Sequence, residues 1–260
     1  MEEATQNSSP LKLQDKVAVV TGGSRGIGRA ISLHLASLGC KLVINYTANS
    51  VQANLLSSEL NAASSTSRAV AVQADISDPL QVSRLFDAAE SSFNSPVHIV
   101  VNSAGVLDSS YSSVSDTNID DFDRTFRVNT RGAFLCMKEA ASRLGCGGRI
   151  VCMTSSMVAG LKPGYGAYAA SKAAVEAMVK VMAKELRGRG ITVNCVAPGP
   201  VATEMFYEGK TEEMVERAVA ECPLGRLGVV EDVAPVVGFL VSEEGGWVNG
   251  QVIKVNGGYV

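Results

Sequence analysis

At 260 residues, with 46% apolar and 19% charged residues, the chain is long enough to bury a core of its own and has the composition of an ordinary globular protein. A formal net charge of -3, sparse aromatics and no Lys/Arg stripe argue against nucleic acid or an anionic membrane as a partner. No apolar run approaches the roughly 20 residues a membrane-spanning helix needs, and the six cysteines and two histidines show no zinc-type spacing.

Residues 1–13 read as a flexible lead. They are polar, carry Glu2 and Glu3, and have neither the apolar stretch of a signal peptide nor the Arg-rich character of a transit peptide. Cys40, Cys152 and Cys195 lie in or beside apolar runs, as buried reduced thiols do. Together these features predict a cytoplasmic protein.

The first β-branched run, Lys16–Thr21, predicts a strand. It leads directly into Thr21-Gly22-Gly23-Ser24-Arg25-Gly26-Ile27-Gly28 and then a helical pattern over Gly28–Leu38, with Ile31, Leu35 and Leu38 at spacings of four and three. Glycines here permit a tight turn, close approach of backbone amides to a pyrophosphate, and packing of helix on strand. The helix N-terminus adds free N–H groups and a positive dipole end. The spacing Gly22-x-x-x-Gly26-x-Gly28 departs from Gly-x-Gly-x-x-Gly, but its position between a strand and a periodic helix predicts a dinucleotide site. The second strand, Lys41–Asn45, ends at Asn45-Tyr46-Thr47, and the first acid beyond it is Glu59. No carboxylate is placed there to take a ribose diol or repel a 2′-phosphate, whereas the Arg25 guanidinium suits phosphate geometry. The expected cofactor is NADPH/NADP+.

Further strands are predicted at Ala69–Ala74, His98–Asn102, Arg149–Thr154, Thr192–Val196 and Val252–Val255. Between them lie a helix over Leu80–Phe93, with Asp78 as cap and Pro79 in its first turn, and a long Ala-rich helix over Ala167–Leu186. The Ser/Asn-rich stretches Ser57–Ser67 and Asp108–Asn118 read as loops or helix ends. Residues 199–227 read either as a substrate-covering flap or as a surface helix between two loops. Near-continuous Val/Ile strands alternating with helices predict an α/β fold over residues 14–260: a single-domain, Rossmann-type, doubly wound parallel sheet with helices on both faces.

Tyr168 and Lys172 stand four apart at the start of the long helix and so share a face. An ammonium beside a phenol favours the phenolate and brings the pKa down from ~10 toward neutrality, as proton exchange with a carbonyl or alcohol oxygen requires. Ser155 follows a strand at the sheet's carboxyl edge, where ligands bind in such folds, and can donate to a developing oxyanion; Ser156 is an alternative from the same turn.

These pieces, with Asp75-Ile76, Asn102-Ser103-Ala104-Gly105, Asn129, Pro198-Gly199, Thr203 and Asn256-Gly257-Gly258, resemble the short-chain dehydrogenases/reductases in order and over nearly the whole chain. The texture of Asn45-Tyr46-Thr47, Asn129-Thr130-Arg131-Gly132 and residues 200–206 is similar to plant NADPH-dependent aldehyde reductase-like members, with bacterial-type 3-oxoacyl-carrier-protein reductases as close relatives. The resemblance implies a catalytic set of Asn129, Ser155, Tyr168 and Lys172. Ser155 would position the carbonyl and Tyr168 would be the general acid/base. Lys172 would lower the tyrosine pKa and hold the nicotinamide ribose, and Asn129 would anchor a water. It implies that Gly22, Ser24, Arg25, Gly26, Ile27, Gly28 and Tyr46 hold the cofactor's phosphates and adenosine end, with Asp75 and Ile76 at the adenine. Asn102, Ala104 and Gly105 would flank its backbone, and Pro198, Val201 and Thr203 would meet the nicotinamide. Ser103 and Asn256 depart from the family pattern, which more often has Asn and an acid there. A homodimer or homotetramer is also implied. The expected function is NADPH-dependent reduction of a small-molecule aldehyde or ketone. The rivals are 3-oxoacyl-carrier-protein reduction, oxidation of a secondary alcohol in specialised metabolism, and non-catalytic dinucleotide binding.

Overall fold

Seven short Val- and Ile-rich segments form a single sheet because each is apolar on both faces and needs a cover on each side. The computed structural model describes residues 12–62 and 66–260. In chain order, β1 (Val17–Thr21), α1 (Gly26–Ser37), β2 (Lys41–Tyr46), α2 (Ser50–Ala62), β3 (Ala69–Gln73), α3 (Pro79–Phe93) and β4 (Ile99–Asn102) make the first half. The second half is α4 (Ile119–Phe126), a π-helical turn (Arg127–Gly132), α5 (Ala133–Arg143), β5 (Arg149–Met153), α6 (Met157–Gly160), α7 (Gly166–Glu185), β6 (Thr192–Pro198), α8 (Glu204–Tyr207), α9 (Glu212–Ala220), α10 (Val230–Val241) and β7 (Val252–Val255).

The strand order is β3-β2-β1-β4-β5-β6-β7, with every pairing parallel. Strand side chains alternate between two cores. Val17 and Val19 pack with residues of α3, α5 and α7, while Ala18 and Val20 pack with residues of α1, α2 and α10. The chain order reverses between β1 and β4. At that switch point the connections after the two strands leave toward opposite faces and open a crevice beyond their carboxyl ends.

Each expected strand is present, six of the seven with one end shifted by one or two residues. β6 runs on to Pro198, so it carries the chain directly to the crevice. Asp78 caps α3 by accepting from Leu80 N and Gln81 N, with Pro79 in the first turn. The Ser/Asn-rich stretch from Ser57 belongs to α2 as far as Ala62; residues 63–65 fall outside the described residues, as do residues 1–11 of the expected lead. Leu13, assigned to the lead by its position, is buried in the second core and donates its N–H to Leu38 O at 2.8 Å. Among the described residues, no helix is long and apolar enough to cross a membrane. All six cysteines are free thiols, five buried and Cys146 exposed.

Packing is very tight where α1 leaves β1. A Cβ on Gly28 would lie 2.2 Å from the Gly22 carbonyl oxygen, a backbone atom with nowhere to move. Gly28→Ala is therefore expected to lower the unfolding free energy by about 1–3 kcal/mol or more, whereas Gly145→Ala, with nothing within 4 Å, should stay within about 0.5 kcal/mol of the unaltered protein. Urea unfolding of the two variants checks the contrast.

Candidate active site

The crevice is built from the carboxyl ends of β1, β2, β3, β4, β5 and β6. Gly22 leaves β1 at φ +60, a left-handed turn that glycine adopts without strain, and its missing Cβ leaves room for Ala104, whose Cα would otherwise be 2.9 Å away. The turn is held from behind by two residues that sequence reasoning did not place in the site. Asn45, buried at the end of β2, accepts from Gly22 N at 3.3 Å and donates to Ala74 O at 3.0 Å, and its carbonyl accepts from Gly23 N. Thr21 Oγ1 accepts from Ser103 N and Ala104 N at 3.0 and 3.1 Å, tying β1 to the turn after β4. The backbone N–H of Ser103 is thus engaged whatever its side chain. Ser32 Oγ donates back to the Gly23 and Gly28 carbonyls.

At the head of α1, the N-cap residue Arg25 makes no side-chain cap, and no acid stands in the first turn. The first N–H groups of a helix have no acceptor within it. An uncapped N-terminus at a glycine turn, opening on a switch-point crevice, has the form of a phosphate seat. The Arg25 side chain is 73% exposed there and is 3.9 Å from Glu204 at the start of α8. Tyr46 is half-buried at the end of β2. Asp75 accepts from Ser77 N and Ser77 Oγ at 2.8 Å, and Ile76 is buried against Gly132. Asn102 donates to Cys152 Sγ at 3.4 Å, and its buried Oδ1 has no hydrogen-bond partner among the described residues. Ser24, Gly26 and Ile27 complete the turn, with Gly26 facing Thr203. Thr203 caps α8, accepting from Phe206 N, and Val201 is buried beside Gly228 on the continuation from Pro198. The structure therefore gathers the glycine turn, the β2 and β3 ends, Asn102 to Gly105 and the 198–203 segment around one crevice. An uncapped helix end, glycine backbones and a leftover acceptor fit a dinucleotide.

The chemical groups meet at the β4–β5 side of that crevice. A Cβ on Gly105 would lie 3.2 Å from both Asn129 Oδ1 and Lys172 Nζ, so the three residues share one small volume. Lys172 is buried and donates to Met153 O at 3.0 Å; its Nζ is 5.8 Å from the Tyr168 ring centroid. Desolvation brings Lys172 down to about 8, partly offset by the nearby Cys152 and Cys195. Burial also pushes Tyr168 above the usual phenol value, while the Ser155 hydroxyl pulls the other way. Burial is thus the larger influence on the phenol and acts against the expected lowering. The ammonium donates to a backbone carbonyl, the Met153 oxygen.

Ser155 and Ser156 part company. Ser156 Oγ donates to Ala197 O at 3.0 Å and accepts from Asn256 Nδ2 at 3.1 Å, which commits it to joining β5, β6 and the C-terminal turn. Ser155 Oγ accepts from Met157 N at 3.2 Å within its own turn and faces Tyr168. Asn129 sits in the π-helical turn, a local widening frequent at functional sites. Its amide donates to Val106 O and Ser171 Oγ and accepts from Val106 N, at 2.8–3.1 Å. Ser171, also missed from sequence, donates in turn to Tyr168 O at 2.7 Å. Its signal was its place three residues after Tyr168, on the inward face of α7.

The outer wall is aromatic. The Tyr165 ring lies 6.4 Å from Tyr168 and 5.2 Å from Tyr111. Burial raises Tyr111 and Tyr165 and, with Lys162 nearby, brings Lys210 down to about 8.

A family model described as enoyl-(acyl carrier protein) reductase matches residues 22–260. The chain is 60% identical over 260 residues to an NADPH-dependent aldehyde reductase-like protein, chloroplastic, of Arabidopsis thaliana, covering 96% of each chain. It is 54% identical to NADPH-dependent aldehyde reductase 2, chloroplastic, of the same plant, covering 97% of this chain and 96% of the other. A short-chain dehydrogenase from Burkholderia cenocepacia, solved in complex with NADP, superposes with a TM-score of 0.88 at 36% identity, covering 95% of this chain and 99% of the other. The chloroplastic designation of both plant relatives overturns the expectation of a cytoplasmic protein. That expectation rested on a polar lead without signal- or transit-peptide character and on cysteines read as reduced thiols, and a few residues of composition are a weak guide to an address that a receptor reads. With identity this high over almost the whole length, the protein belongs to the short-chain dehydrogenase/reductase family.

Proposed function

We propose that the protein is an NADPH-dependent reductase of small-molecule aldehydes or ketones, with Tyr168 as the proton donor. The observation that carries this reading is the convergence of Ser155, Tyr168, Lys172 and Asn129 beside an uncapped helix N-terminus at the switch point of the sheet. NADPH-dependent aldehyde reductases among its relatives support the cofactor and the carbonyl chemistry, and their chloroplastic designation supports a plastid as the place of action.

The residues divide the work. Bound NADPH supplies a hydride to the carbonyl carbon. Ser155 donates to the carbonyl oxygen and turns it toward the Tyr168 hydroxyl. Because burial holds the Tyr168 proton well into the alkaline range, the side chain enters the reaction as a phenol and gives that proton to the oxygen as negative charge develops. Lys172, still an ammonium at neutral pH, stabilises the phenolate left behind and is the nearest source of a replacement proton. The Asn129 amide is committed to Val106 and Ser171, so it locks the β4 loop to the Tyr168 turn, and any water it anchors is held by its main chain. Arg25 holds the 2′-phosphate, free of any carboxylate at Asn45-Tyr46-Thr47. Residues 199–227, with α8 and α9, cover the substrate as a flap. Exposed Ile119 and Phe122 on α4 and Val181 on α7 offer apolar surface for a homodimer or homotetramer.

Tyr168→Phe should retain NADPH binding by fluorescence titration while carbonyl reduction drops by about 10²–10⁴-fold; full turnover in this variant would sink the mechanism. Unaltered protein should show higher kcat/KM with NADPH than with NADH, and Arg25→Ala should reduce that preference by about tenfold, roughly 1.4 kcal/mol, through NADPH alone. The pH profile of reduction tests Lys172. With the lysine at about 8 and the phenol above its usual range, kcat/KM should be level up to pH about 8 and decline above it as the ammonium is lost. Residual activity of Lys172→Met should lack that decline.

A further inference from the structure

We propose that Lys210 is a specificity-determining residue of the carbonyl site: it pins the flap to the loop after β4 and fills the aromatic space beyond Tyr165, and so limits the size of the substrate. This inference rests on the reductase reading above and adds to it the residue that bounds the substrate.

The flap and the loop touch at three successive flap residues. Tyr111 Oη donates to Glu208 O at 3.0 Å. A Cβ on Gly209 would lie 2.3 Å from Ser109 O, and Gly209 adopts φ +71, so only glycine permits the flap to lie this close. Lys210 Nζ then donates to Tyr111 Oη and, at 2.6 Å, to Phe206 O. The same ammonium is 4.5 Å from the Tyr111 ring centroid, 4.6 Å from that of Phe206 and 6.0 Å from that of Tyr165, within the range of cation–π attraction. Tyr111 itself is held at φ +50, a left-handed conformation unusual for an aromatic residue, which persists only where surrounding contacts hold it.

The position of this clasp gives it a consequence for substrate choice. Tyr168, Tyr165 and Tyr111 form a chain of rings running outward from the reacting hydroxyl, and Lys210 closes its outer end. A carbonyl compound placed at Tyr168 grows along these rings and meets the lysine stem and the pinned flap. With Lys210 in place, short carbonyl compounds are favoured over bicyclic ones. With the side chain removed, the space between Tyr111 and Phe206 becomes available to an apolar ring.

Three variants separate filling from pinning. Lys210→Ala removes both, Lys210→Met keeps most of the volume but loses the charge and its bonds, and Tyr111→Phe loses only the hydroxyl. The measured quantity is the ratio of kcat/KM for 2-naphthaldehyde to that for propanal with NADPH. It should rise about tenfold in Lys210→Ala, the scale of opening a hydrophobic pocket by a small apolar volume, and by less in the other two. Calorimetric titration of 2-naphthylmethanol into the NADP+-loaded protein gives a second reading that needs no turnover, and binding should be tighter in Lys210→Ala. Ratios and binding equal to those of the unaltered protein in all three variants would overturn the proposal. Inertness of the unaltered protein toward both aldehydes would instead count against the reductase reading, and the titration would still decide the role of Lys210.

Discussion

The approach of Gly28 to the Gly22 carbonyl governs how α1 meets the sheet, and through it where the crevice lies. Any side chain at position 28 would push the helix away from β1 and carry its N-terminus off the switch point. The same contact sets the direction of the turn between them, which Asn45 and Thr21 then hold from the neighbouring strands. A parallel sheet buried on both faces supplies the rigidity: β1, β2 and β4 are locked in register, so the three backbone segments that meet at the turn cannot move independently. The site is a property of the sheet's edge before it is a property of any single residue.

Electrostatics at the reacting end follow from that burial. A lysine and a tyrosine one helical turn apart suggest an ion-assisted phenolate, and an exposed pair would behave so. Here both lie against strands β5 and β6, and desolvation disfavours the charged form of each: the lysine moves down and the tyrosine up. The outcome is a neutral phenol beside an ammonium, the protonation state that reduction of a carbonyl needs at its start. Ser155, Ser171 and Asn129 then position this pair through hydrogen bonds that cross from β5 and the π-helical turn to α7.

Away from the sheet, the molecule changes character. Beside the crevice lie two segments outside the sheet, the loop after β4 and the stretch after β6 that carries α8 and α9. Their mutual contacts hold them together: close backbone packing at Gly209, a lysine held among three rings, and a tyrosine in a left-handed conformation. On the proposed reading, the sheet carries the chemistry and a separately pinned cover carries the selectivity, so the cover is open to change without disturbing the reacting groups.

The chain's own order of residues determined the alternation of strand and helix, the glycine turn and the Tyr168–Lys172 pair, because strand burial, tight turns and one-turn helical spacing leave local signatures; Asn129 joined that pair only through the family resemblance. It also indicated the absence of a carboxylate near Tyr46, which is a matter of residue type alone. Other features depend on pairs distant in sequence. Asn45 supports Gly22 across 23 residues, Asn129 meets Ser171 across 42, and Lys210 reaches Tyr111 across 99. The choice between Ser155 and Ser156 depended on which hydroxyl β6 and Asn256 already occupied. The direction of the Tyr168 shift depended on how much solvent the fold removed. Only tertiary structure decides such matters, because a hydrogen-bond partner and a dielectric environment belong to the packed chain rather than to the residue that feels them.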